Sequence, residues 1–212
     1  MRNINRQNKQ LHFAFLFACP LVLTCGKVEQ EKYKLIPKLD YEKEYTKIKQ
    51  RLEMSQCQIA ITKRQCTTQS FRQVLMRKPL GIHFSGHGIL NTYETVGDYH
   101  ALTKDQGDFL LFETDEGDSQ LVSRTQLKNL IATTGADLDF VFVASCHSEF
   151  VGRIFLEAGA KHVICIDHRN EVDDNAVVTF TDAFYDAIFS NAANICKAYL
   201  NAQVVVSISH NS

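Results

Sequence analysis

The chain has 212 residues, 45% hydrophobic and 22% charged, with a formal net charge of -1. That length suits one sizeable domain with a real core, and the apolar share argues against disorder. Near-neutrality without a block of like charges leaves no electrostatic footprint for nucleic acid or an anionic membrane, so neither is expected as a partner.

The first apolar run, "HFAFLFA", follows a basic start (Arg2, Arg6, Lys9) and precedes Pro20. Its layout fits either a secretory signal over the first 25 or so residues or a buried first strand from about 11 to 19, and it is too short to span a bilayer. "YEKEYTKIKQRLEM" places Tyr41, Tyr45, Ile48 and Leu52 on one helical face. "CQIAIT" at 57 to 62 reads as a strand, and "TQSFRQVLMRK" as a helix burying Phe71, Val74 and Leu75.

"LGIHFS" is the next strand, followed by a long polar loop over 88 to 107 of the kind that usually carries function. "DFLLFETDEGDSQLVS" reads as a hairpin turning around Asp115 to Asp118. Ser123 and Gln126 form a capping-box pattern ahead of "LKNLIA". "LDFVFVAS", almost continuously apolar, predicts a central parallel strand buried on both faces. "SEFVGRIFLEAG" predicts a helix aligning Phe150, Ile154 and Ala158, with Gly159 ending it. "HVICID" is another buried strand, and two helices close the chain, about 174 to 189 and 192 to 205. The alternation implies an α/β fold with a mostly parallel sheet between two helical layers. The expected division is a tail over 1–10, one domain over 11–206 and a tail over 207–212.

Two strand ends carry the chemistry. "LGIHFSGHGIL" puts His87 between two glycines, and "LDFVFVASCHSEF" puts Cys146 between a strand and a helix. In open parallel sheets the working residues gather beyond the carboxyl ends of the strands. The helix dipole beginning near Ser148 favours a thiolate at Cys146, and a nearby imidazole would take its proton. The amides of Gly88 and Cys146 are candidate oxyanion donors. Acyl transfer by a Cys-His dyad is the reaction class. The plain alternative for Cys146 is a packed core thiol. A metal site would use His83, His87, Cys146 and His147, but no helix aligns the His83/His87 pair, and neither metal nor cofactor is expected. Seven scattered cysteines with no C-x-x-C pair suggest neither a disulfide framework nor a zinc ribbon, and fit a reducing, cytoplasmic setting. Cys57, Cys66, Cys165 and Cys196 read as packing residues.

At these motifs the chain resembles a CHAT domain, a member of the caspase-like superfamily of cysteine peptidases that includes separase. The resemblance rests on "IHFSGHG", "FLLFE", "VFVASCHSE", "AGAKHVICID" and "VDDNAVVTFTDAFYDAI", and spans about Leu11 to Val205. It implies a caspase-like α/β/α sandwich, with His87 as general base, Cys146 as nucleophile and Gly88 as oxyanion donor of a cysteine endopeptidase acting on a protein or peptide. It also makes 11 to 19 the first sheet strand. Such domains often accompany tetratricopeptide repeats, for which this chain has no room upstream, so it stands alone or belongs to a longer gene product. The substrate residue before the cleaved bond (P1) is commonly charged in this superfamily. Asp167, Asp173 and Asp174 follow the strand next to the nucleophile and suggest a basic P1, against the simpler reading that Asp173 or Asp174 caps a helix. Arg169 nearby would favour an acidic P1 instead. The function from a different class is a catalytically silent interaction module on the same fold.

Overall fold

A computed structural model describes residues 11–25, 32–55, 58–89, 108–135, 137–166, 173–189 and 194–209. In chain order its elements are β1 (Leu11–Phe17), β2 (Val22–Cys25), β3 (Lys32–Leu35), α1 (Tyr41–Met54), β4 (Ile59–Gln65), α2 (Thr68–Met76), β5 (Gly81–Ser85), β6 (Gly88–Ile89), β7 (Phe109–Glu113) and β8 (Ser119–Val122). There follow α3 (Arg124–Ala132), β9 (Phe140–Ala144), α4 (Glu149–Glu157), β10 (His162–Ile164), α5 (Asp174–Phe189) and α6 (Ile195–Ser209).

Five parallel strands make the central sheet in the order β10-β9-β5-β1-β4. The apolar run of residues 11–17 is therefore an interior strand, set between β5 and β4, with Phe13 to Leu16 wholly buried. Side chains alternate across a strand, so a run apolar at every position must be covered on both faces. Phe13, Phe15, Phe140 and Phe142 pack with Ile48 and Leu52 of α1, Phe184 and Tyr185 of α5, and Ala198 and Ala202 of α6. Ala14, Leu16, Ile82, Phe84, Val141 and Val143 pack with α2, α3 and α4. The result is the expected three-layer α/β/α sandwich. One core is aromatic, with ring centroids 5.5 Å apart for Phe13 and Phe140 and 5.2 Å for Phe184 and Tyr185. Burying each such ring contributes on the order of 1.5–3 kcal/mol.

The hairpin expected over 108 to 123 is β7 and β8, paired antiparallel. The two residues of β6 join it as a third strand, so part of the expected loop is sheet, while 90–107 lies outside the described residues. A further antiparallel pair, β2 with β3, falls between the first apolar run and α1, where the sequence predicts no element. The Ser123/Gln126 capping box is present, and a second one, Thr67/Ser70, starts α2. Gly159 adopts a φ of +97° just past α4, the left-handed conformation that ends helices. The buried face of α4 is Val151, Gly152, Ile154 and Phe155, with Ala158 exposed, a rotation from the predicted alignment. On that face Gly152 lies close to the end of β10, where a methyl would meet Cys165 Sγ at 2.7 Å and Val163 Cγ1 at 3.3 Å. α6 runs to Ser209, past the expected boundary at 206. Cys66 is buried and Cys165 packs against the core, but Cys196, expected as a packing residue, is exposed. Cys57 lies outside the described residues.

Candidate active site

Because the five strands are parallel, all their carboxyl ends lie on one rim. α1 begins at that rim, since it must run back to the start of β4, and α5 begins there after β10. The N-terminal turns of both helices therefore surround whatever leaves β5 and β9.

β5 and β9 are neighbours, and their last paired residues are Ser85 and Ala144. His87 and Cys146 each lie two residues beyond that pair, at equivalent positions on adjoining strands. Pairing continues one step, as the Gly86 N–H donates to Ala144 O at 3.2 Å. The next glycine then fits against the cysteine motif. A methyl on Gly88 would overlap the Cys146 carbonyl oxygen and lie 3.0 Å from its carbon and 3.2 Å from Ser145 Oγ. The glycine is required for space, and the contact binds the histidine and cysteine blocks together. His87 O accepts Leu111 N–H at 2.9 Å. The ladder bonds between β6 and β7 thus fall on the residues flanking Gly88, leaving its amide aimed away from β7.

His87 is half-buried, and its Nε2 lies 2.9 Å from Pro37 O. A carbonyl only accepts, so Nε2 carries the proton and the neutral ring offers its lone pair at Nδ1. Burial pushes the imidazole pKa below its usual 6.5, while the Pro37 bond and the Asp174 charge oppose the shift. Cys146 is a partly exposed free thiol. The turn after it is made by His147 at a φ of +54°. Ser148, the residue that starts α4, makes no side-chain cap bond; its Oγ accepts Ile166 N–H at 3.1 Å instead. The positive end of α4 is thus uncovered by a cap beside the thiol.

The acidic candidates separate. Asp173 Oδ1 accepts Asn175 N–H at 2.7 Å, so this residue caps α5, as the simpler reading had it. It also lines a groove of about 660 Å³ with Ala144, Ile164, Ile166, Val177 and Phe180. Asp174, in the first turn of α5, is held above the usual carboxylate pKa by partial burial and by Glu44, with His87 pulling the other way. Its carboxylate thus shares the field of the imidazole. Asp167 and Arg169 lie outside the described residues.

The set His83, His87, Cys146 and His147 does not assemble as a metal site. His83 is wholly buried on the aromatic face, its Nε2 2.9 Å from Glu44 Oε2 and its Nδ1 3.1 Å from the Tyr185 hydroxyl. Among the described residues no three His, Cys, Asp or Glu side chains group to hold a metal ion.

Sequence reasoning missed Glu44, a carboxylate only 5% exposed that also accepts from Ser85 Oγ at 2.7 Å. Its signal is the four-residue spacing that puts it in line with Ile48 and Leu52. The polar pair His83 and Ser85 on one face of β5 likewise requires a buried partner. The Pro37 carbonyl was also missed, being a backbone group with no side-chain signature.

No curated protein matches the chain. The family model for the CHAT domain matches residues 5–211, essentially the whole length. With the caspase-like layering of helices about a parallel sheet and the two strand exits meeting at its rim, this match makes the chain a member of the CHAT domain family.

Proposed function

We propose that this CHAT domain is a cysteine endopeptidase in which His87 and Cys146 form the dyad. The observation that carries the reading is the backbone contact of Gly88 with the Cys146 carbonyl, between strands whose exits are in register. His87 Nδ1 takes the thiol proton, and the sulfur attacks the carbonyl carbon of a protein or peptide. The amides of Gly88 and Cys146 hold the oxyanion. As the tetrahedral adduct collapses, the C–N bond breaks and the imidazolium returns its proton to the leaving amine. Water, deprotonated by His87, then cleaves the thioester and frees the acid and the thiol. The lowered imidazole pKa supports the role, because the ring is neutral and able to accept near pH 7.

Asp174 is the favoured partner for a basic P1 side chain. Its carboxylate lies in the field of His87, while that of Asp173 is occupied as a cap. The free thiols of the described cysteines suit a reducing, cytoplasmic setting. Among the described residues no helix is long and apolar enough to cross a membrane.

An acyloxymethyl ketone probe tests the dyad. Selective labelling of Cys146 that disappears in His87→Ala supports the peptidase, whereas labelling spread over all the cysteines indicates a silent interaction module. Fluorogenic peptides differing only at P1 test the pocket, and equal rates for Arg, Asp and Leu would remove the charge argument.

A further inference from the structure

The orientation of His87 depends on the Pro37 carbonyl, and Pro37 belongs to the short connection between β3 and α1. That connection is tied down on both sides of the proline. Ile36 N–H donates to Leu21 O at 3.0 Å, and Leu39 N–H donates to Cys19 Sγ at 3.4 Å. Cys19 is itself fixed, as its N–H donates to Glu113 Oε1 at 2.6 Å. Glu113 is 7% exposed, and its other oxygen accepts from Gln65 Nε2 at 2.5 Å. A continuous run of hydrogen bonds therefore leads from the small sheet, through the exit of β1, to the segment that presents the carbonyl to the imidazole.

We infer that Cys19 is a positioning residue for His87, its sulfur accepting Leu39 N–H so that the Pro37 carbonyl stays against Nε2 and the free lone pair stays at Nδ1. This rests on His87 being the base of the proposed peptidase. Without the sulfur the Leu39 N–H loses its acceptor, and the segment keeps its bond at Ile36 but not the one beyond the proline. The carbonyl then wanders, and the ring exchanges between its two neutral tautomers.

The test compares Cys19→Ala with Cys19→Ser, whose hydroxyl can still accept, in the full chain. Long-range 15N–1H correlation of the His87 ring shows the Nε2–H tautomer in the parent and in Cys19→Ser, and a mixture of tautomers in Cys19→Ala. Alkylation of Cys146 by iodoacetamide at neutral pH, read at the peptide level by mass spectrometry, falls about tenfold in Cys19→Ala, a loss in the range caused by a misplaced catalytic group. In Cys19→Ser it stays near the parent rate. Leu39→Pro, which deletes the N–H and keeps the thiol, reproduces Cys19→Ala and carries the test if the alanine variant does not fold. Unchanged ring signals in Cys19→Ala or Leu39→Pro, or serine as damaging as alanine, would overturn the assignment. The two possible failures separate. If His87 is not the base, His87→Ala leaves Cys146 alkylation unaltered, while the ring signals still decide whether Cys19 holds Pro37 in place.

Discussion

Gly88→Ala is the sharpest perturbation of the site. The added methyl would sit 1.9 Å from the Cys146 carbonyl oxygen, where real Cβ contacts essentially never fall below 3.0 Å, so the two strand exits must part by roughly 1 Å. The obstacle is backbone, so no rotamer change relieves it. Overpacking of this kind costs about 1–3 kcal/mol, or about 2–12 °C in melting temperature for a chain of this size. Separating base and nucleophile by that distance costs on the order of a hundredfold in rate. Gly86→Ala is the matched control. Its methyl would meet the Phe84 ring at 2.5 Å, a buried core side chain rather than the backbone of the cysteine motif. It should lose comparable stability with far less effect on reactivity. Thermal melts paired with Cys146 labelling by the ketone probe separate the two effects. Equal labelling of both variants at temperatures where both are folded would refute the claim that this glycine sets the spacing of the dyad.

Glu44→Ala should destabilise by about 2–5 kcal/mol in urea unfolding, since it leaves a cavity and strips the acceptor from His83 and Ser85; a loss under about 1 kcal/mol would contradict the buried network. The His87 pKa is lowered in the folded state, so its contribution to stability is full above its free value of 6.5 and is lost as pH falls through the lowered folded value. Urea midpoints measured across that window should be flatter in His87→Gln than in the parent. Asp174→Asn removes a charge that opposes the shift at His87, so the imidazole titration followed by NMR should move further down. Ionisation of Asp174 is itself held back by burial and Glu44. Any preference for P1 Arg over Leu should therefore fade as pH drops through its raised pKa and vanish in Asp174→Asn.

Much of this architecture can be read from the residues alone because its signals are local. Runs apolar at nearly every position, "HFAFLFA" and "LDFVFVAS", read as strands covered on both sides, and the exits of "LGIHFS" into "GHG" and of "LDFVFVAS" into "CHS" point to one rim. What escapes such reading is non-local. β2 carries no alternation and β3 alternates over only four residues, so their pairing depends on tertiary placement. Glu44 on a helical stripe looks like an ordinary favourable charge in a first turn until the β5 polar pair is set opposite it. The Pro37 carbonyl has no side-chain code at all. The face of α4 turns Gly152 toward Val163 and Cys165 at the end of β10, a contact that periodicity does not encode.

The aromatic layer beneath the rim gives the protein an intrinsic optical probe. The chain has seven tyrosines and no tryptophan, so its near-ultraviolet circular dichroism has no indole signal to mask the phenols. Tyr185 is wholly buried, stacked on Phe189 and bonded to His83. Burial holds its phenol protonated far into alkaline solution, so it should be the last of these chromophores to ionise, doing so only as the layer opens. A ligand seated at the rim that disturbs the aromatic layer would thus announce itself without any attached dye.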